Sequence, residues 1–445
     1  MKNNHVTSTP RGVVTCLYIV AALFIVTAGS PRTARGQLAG SDRGRGREML
    51  RTVRLQIQKH YYDPTYHGVD LDARFKAADE AIKQAKSNSE IFGIIGQAVV
   101  DLNDSHTLFI PPKRAAQTDY GWRMQIIGSR CFIVAIKPGS DAETKGLKVG
   151  DQVISVNGYE PVRENLWKMQ YTYYGLKPQA AMALVVQSRG GQPHELLIMS
   201  KVTTGKRIVE FKDIFDQIRE DETESFLRRQ RFYEDVEDIF IWKMPQFDLS
   251  DHEVDDIMER ANKRKSLILD LRGNGGGAEA TLQRLLGNVF DHDIKVGDLK
   301  RRNEMKPLVA KSRGTKAFKG QLIVLVDSES GSAAEIFARV MQLEKRGLVF
   351  GDQTAGAVMR SKLYPQQHGT DQVIYYAVSI TDADVIMTDG QSLERVGVTP
   401  DEKLLMSDFA LATSQDPVLS RAVAKVGGQL NPKKAGTLFP IEWKR

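Results

Sequence analysis

SLILDLRGNGGG, residues 266–277, and VLVDSESGSAAEIFA, residues 324–338, share one plan: a short apolar run that stops at a turn. Such runs, rich in Leu, Ile and Val and bounded by turn signals, read as strands buried on both faces. The first ends in Gly275, Gly276 and Gly277, where the backbone turns sharply and brings N–H groups close to a ligand. The second ends at Ser332, directly before AAEIFARVMQ, whose spacing is that of an amphipathic helix. The Ser332 hydroxyl and the Ala333 N–H then lie at a helix N-terminus, a favourable place for negative charge. A hydroxyl and a glycine loop, both at strand ends, are parts that acyl transfer through a tetrahedral intermediate requires.

Outward from these stretches, strand and helix patterns alternate. IFIWKMPQF reads as a strand and HEVDDIMERANKR as a helix, then ATLQRLLGNVF as a helix, QLIVLVD as a strand and LVFGD as another. This alternation predicts an α/β layered core over residues 206–430, with a tail at 431–445. The core begins with a charged connector, RIVEFKDIFDQIREDETESFLRRQRFYED, expected to be partly helical and solvated. Residues 118–205 differ: WRMQIIG, CFIVAI, DQVISVNG, MALVVQSR and HELLIMSKV are short β-like runs. Residues 47–117 carry helical spacing in three segments, broken at Asp63-Pro64 and ended by Pro111-Pro112. The Gly- and Arg-rich stretch 31–46 reads as a flexible linker.

Residues 12–31 are uncharged and mostly apolar behind Lys2 and Arg11, which reads as an export signal within residues 1–30. The reading places the body in the periplasm or elsewhere outside the cytoplasm. Its alternative is an uncleaved membrane tether. The chain has 445 residues and a formal charge of +7, with acidic and basic residues interspersed. No basic stripe with interleaved aromatics points to nucleic acid. The two cysteines, Cys16 and Cys131, form no disulfide framework, and Cys131 in RCFIVAI reads as a core residue. No HExxH or comparable ligand cluster occurs, so neither a metal nor another cofactor is expected.

PGSDAETKGLKVGDQVISVNG, residues 138–158, resembles a PDZ domain. The resemblance implies a β-sandwich-like module that adds an extended peptide to a sheet edge, with Gly121, Trp122 and Arg123 as the loop facing the peptide. Together, DLRGNGGG and SGSAAEIFA resemble the C-terminal processing peptidases and the tricorn core protease. That resemblance implies a ClpP/crotonase-like α/β core with an N-terminal helical unit and an inserted PDZ domain. It also implies a serine endopeptidase acting on peptide or protein substrates held by the PDZ domain and the cleft.

The resemblance assigns Ser332 as nucleophile, with Ser328 and Ser330 as rivals. The processing-peptidase branch draws its base from a lysine about 25 residues later, a Ser–Lys variant of the triad logic. Here GDQTAGAVMRSK holds Ala357 at that place, and Lys362 follows at a different offset. The tricorn-like branch uses histidine, and Asp104-Ser105-His106-Thr107 matches it. His106 is then the general base and Ser105 part of the network. Glu394, in GQSLERVGVTPD, is the orienting acid, in competition with Asp382, Asp384 and Asp389. Gly275, Gly276 and Ala333 are the expected oxyanion donors. Asp270 and Arg272 are expected to hold the strand end by ion pairing, Asn274 to cap the turn, and Thr354 and Gly356 to line the cleft. The alternatives are a Lys362-based peptidase and a catalytically inactive protein of the same fold that binds peptides or lipophiles.

Overall fold

The computed structural model describes residues 40–114, 116–204, 233–369, 373–441 and 443. The leader reading, the first part of the expected linker and most of the charged connector lie outside these residues. Among the described residues no helix is long and apolar enough to cross a membrane.

Three helices open the described chain: α1 (Gly40–His60), α2 (Leu71–Gln84) and α3 (Asn88–Val100). Asp70 and Ser87 cap α2 and α3, each accepting a backbone N–H three residues on. The start of α1 corrects the linker expectation, because residues 40–46 are helical. Gly46 is needed there: a Cβ would stand 2.5 Å from Ile91 Cγ2. What reads as a flexible glycine is thus a close helix crossing.

β1 (Leu108–Ile110) leads from this helical unit into β2 (Ala116–Asp119) and then into a five-stranded antiparallel sheet. That sheet runs in chain order through β3 (Trp122–Ile127), β4 (Arg130–Ile136), β5 (Gln152–Val156), β6 (Ala181–Gln187) and β7 (His194–Met199). β2 pairs separately with β8 (Lys201–Thr204). The expected sandwich is therefore a single sheet closed by Leu166 and Met169 of the helix Leu166–Gln170. Cys131 is buried in its core as expected.

The α/β core holds a six-stranded sheet built from β9 (Tyr233–Val236), β10 (Ile239–Lys243), β11 (Ser266–Asp270), β14 (Gln321–Val326), β15 (Leu348–Gly351) and β18 (Glu402–Lys403). All its pairs are parallel except β9 with β10. The continuous apolar runs follow from burial on both faces. Leu267, Leu269, Val324 and Val326 face one cluster, with helices Asp251–Ala261, Glu279–Gly287 and Ala333–Leu343. Ile268, Ile323 and Leu325 face the opposite cluster, with helices Pro417–Lys425 and Pro432–Leu438. The expected tail at 431–445 thus contributes a packed helix, with Ala435 buried. A second sheet joins β1 and β12 (Ile294–Lys300), β13 (Met305–Ala310), β16 (Met359–His368) and β17 (Ile374–Met387). β1 pairs with β17 in register Phe109↔Val378, which ties the helical unit to the core.

The end of β11 is fixed by charge. Asp270 is fully buried, and the Arg272 guanidinium bridges it to Asp416, 2.7 Å from each. Burial alone would raise the Asp270 carboxyl, but Arg272 and Lys243 more than offset it and hold it below the usual carboxylate range. Removing one member strands a buried charge. We expect Arg272→Ala to cost about 3–5 kcal/mol, read as a lower urea midpoint.

Candidate active site

Ser332 stands between β14 and the helix Ala333–Leu343, with φ 52° and ψ −117°. Such a left-handed backbone costs a non-glycine residue about 1–3 kcal/mol and persists only where neighbours hold it. Its N–H donates to Ala357 O at 2.8 Å and to Glu335 Oε2 at 3.0 Å. The rival serines are committed elsewhere. The Ser330 hydroxyl donates to Leu271 O at 2.8 Å, and that of Ser328 to Ile126 O.

His106 Nε2 lies 3.2 Å from Ser332 Oγ, and its Nδ1 lies 2.8 Å from Ser105 Oγ. Asp104 fixes this turn. Its Oδ1 accepts the N–H groups of His106 and Thr107, each at 2.9 Å, and the Thr381 hydroxyl at 2.7 Å. The Tyr61 hydroxyl donates to its other oxygen at 3.0 Å. Glu394 Oε2 accepts the Ser105 hydroxyl at 2.8 Å and the Val358 N–H at 2.9 Å, while Oε1 accepts the Ser105 N–H at 3.1 Å.

This network selects a tautomer. Ser105 has one hydroxyl proton, given to a carboxylate that can only accept. Ser105 Oγ is then the acceptor for Nδ1–H, which leaves Nε2 bare toward Ser332. Burial lowers the His106 imidazole below its ordinary value, with Asp104 acting against it. Burial raises the Glu394 carboxyl, opposed by the Ser105 hydrogen bonds.

The competing groups lie elsewhere. Asp382 pairs with Arg360 and Lys362, Asp384 accepts from Ser392, and Asp389 pairs with Arg339. Lys362 Nζ, on β16, is half exposed and 3.3 Å from Asp382.

The glycine loop corrects one expectation. The Gly276 N–H is spent on Asn274 Oδ1 at 2.8 Å, while Asn274 Nδ2 donates to Met244 O at 2.8 Å. Gly276 is therefore a space-maker: a Cβ there would stand 2.5 Å from Ser332 Cβ and 3.1 Å from Ala333 N. Of the three expected donors, Gly275 and Ala333 are left, and Ala333, first in its helix, has no intrahelical acceptor for its N–H.

Two further expectations change. Thr354 and Gly356 are buried and do not line a cleft. The Thr354 hydroxyl and the Gly356 N–H both donate to Glu335 Oε1, at 2.5 and 2.8 Å. In the loop before β3, the Gly121 N–H is spent on Asp119 Oδ1 at 2.9 Å, and Trp122 is buried. Only Arg123 stays exposed, lining a cavity of about 460 Å³ with Lys243, Gly273, Asp327 and Glu329. β3 is an edge strand already held by the core, since Gln125 Nε2 donates to Asp327 Oδ2 at 2.6 Å.

Sequence reasoning missed Glu335. The signal was present as the Ser–x–x–Glu spacing of a capping box, Ser332 to Glu335. Among the described residues, no group of three or more His, Cys, Asp or Glu side chains is placed to hold a metal ion.

The profile of peptidase family S41 matches residues 238–404, and that of the PDZ domain matches residues 86–169. The chain is 25% identical over 351 residues to a tail-specific protease of Haemophilus influenzae, covering 74% of this chain and 48% of that protein. It therefore spans about half the length of that relative. It is 23% identical over 363 residues to the carboxy-terminal processing protease CtpA of Bacillus subtilis, covering 76% of this chain and 71% of the relative. The crystal structure of mature CPAF shares the fold, with a TM-score of 0.62 at 15% identity over 84% of this chain and 94% of that one. Residues 238–404 thus match peptidase family S41 and residues 86–169 match a PDZ domain within one chain.

Proposed function

We propose that the protein is an exported serine endopeptidase that forms an acyl-enzyme on Ser332 with His106 as general base. The observation that carries this reading is the continuous chain Ser332–His106–Ser105–Glu394, each link within hydrogen-bonding reach.

The bare Nε2 of His106 takes the hydroxyl proton as Ser332 Oγ attacks the scissile carbonyl. The carbonyl oxygen becomes an oxyanion on the N–H groups of Gly275 and Ala333. The imidazolium then gives its proton to the leaving amine. Ser105 and Glu394 hold the ring through Nδ1–H, and Asp104 adds negative charge nearby. Water attacks the acyl carbon as His106 takes its proton, the bond from that carbon to Ser332 Oγ breaks, and His106 returns the proton to Oγ.

The PDZ domain supplies an extended-peptide site. β3 also touches the segment that carries Ser332, through Gln125 to Asp327 and through the Ser328 hydroxyl to Ile126 O. The export component rests on the apolar residues 12–31, which lie outside the described structure.

The test is labelling by a fluorophosphonate probe of protein lacking residues 1–30. We expect wild type to label and Ser332→Ala not to label. A folded wild type that stays unlabelled with PDZ-directed peptides added would move the reading to a binding protein.

A further inference from the structure

We propose that Glu335 is a positioning residue that sets the Ser332–His106 distance through the loop 354–358, an inference that rests on Ser332 being the nucleophile. Glu335 is fully buried at the third position of the helix Ala333–Leu343. A carboxylate withdrawn from water is tolerated only where its lone pairs are used. Here four donors converge on it. Oε1 accepts from the Thr354 hydroxyl at 2.5 Å and the Gly356 N–H at 2.8 Å. Oε2 accepts from the Ala357 N–H at 2.9 Å and the Ser332 N–H at 3.0 Å. Burial pushes this carboxyl up to about 7 against the pull of those donors.

A helix cap needs only the last of these bonds. The other three reach a separate segment, and that segment continues to the base. The next N–H along, Val358, donates to Glu394 Oε2 at 2.9 Å, and the same oxygen accepts the Ser105 hydroxyl. Three successive backbone N–H groups thus divide between two carboxylates, one holding the nucleophile and one holding the base. Ser332 N donates to Ala357 O as well, at 2.8 Å, which closes the frame. This frame holds Ser332 at its positive φ and fixes the 3.2 Å separation between Oγ and Nε2.

The experiment compares wild type, Glu335→Gln and Thr354→Val in the chain used for labelling. Fluorophosphonate inactivation rates, peptide kcat and KM, and urea unfolding are read together. In Glu335→Gln the new amide turns an NH₂ toward two donors and loses half the clamp. Displacing reacting atoms by about 1 Å costs roughly 100-fold in rate. We expect Glu335→Gln to lower kcat and the inactivation rate by about 30- to 300-fold, with KM within about threefold and labelling still complete at long times. Thr354→Val removes one donor to Glu335 together with the acceptor of the Val398 N–H, and is expected to lose about 3- to 10-fold. A purely structural role predicts a loss that tracks the unfolded fraction and incomplete labelling. That result overturns the proposal, as does a Glu335→Gln protein reacting at the wild-type rate. Should Glu335→Gln fail to fold, an unchanged rate in Thr354→Val overturns it. A wild type that never labels removes the nucleophile reading, and this inference with it. Labelling of wild type with no change in either variant removes this inference alone.

Discussion

His106→Ala is expected to lower kcat by about 1,000- to 10,000-fold, while Lys362→Ala leaves it within about twofold. Reach and protonation separate the two bases. Nε2 of His106 is 3.2 Å from Ser332 Oγ and carries no proton in the tautomer that Ser105 and Glu394 impose. Lys362 is half exposed and its Nζ is committed to Asp382 at 3.3 Å, away from the Ser332–His106 pair. The two bases also differ in pH dependence. A general base must be neutral, so activity is present above its pKa and lost as pH falls through it. Burial holds His106 below its ordinary value of 6.5, so the acid limb of kcat/KM is expected below that pH. A lysine base would move the limb toward the alkaline side. Steady-state kinetics from about pH 4.5 to about pH 9 on wild type and both variants decides the matter. A limb well above neutrality, or a Lys362→Ala protein as impaired as Ser332→Ala, would exclude His106.

What the sequence made legible follows from the range of the forces involved. β11 and β14 were readable because strands buried on both faces must be apolar throughout. Ser332 was readable because a helix announces its N-terminus locally. His106 and Glu394 came from motif resemblance, because 226 and 289 residues separate the partners His106–Ser332 and Ser105–Glu394. The failures share one cause: a residue type was read without its distant partner. Gly46 and the arginines around it looked like linker, since Ile91, which packs over Gly46, lies far along the chain. Thr354 and Gly356 looked like cleft lining, since the acceptor for both is Glu335, on the helix that follows Ser332. Gly276 looked like an oxyanion donor until Asn274 claimed its N–H.

Gly276 carries the second large prediction. Its φ is 99°, a region L-residues rarely adopt, and Gly276→Ala would put a methyl 2.5 Å from Ser332 Cβ, 2.9 Å from Gly331 O and 3.1 Å from Ala333 N. Neither the Gly331 carbonyl nor the Ala333 amide can swing away as a side-chain tip could, because both are backbone. Relief has to come from moving the glycine loop away from the helix N-terminus, the motion that separates Gly275 from Ala333. Loss of one oxyanion donor costs about 100- to 1,000-fold in kcat. We therefore expect Gly276→Ala to fall by about 1,000-fold in kcat with KM changed little, since the lost bond forms only in the transition state. The strain itself is expected to cost about 1–3 kcal/mol, read by urea unfolding, and to leave the protein folded. Gly275→Ala is the internal control. Its φ lies outside the positive range and a Cβ there would meet no atom within 4 Å, so it should lose far less. A Gly276→Ala enzyme that retains wild-type kcat would mean that the loop does not abut the reacting carbonyl.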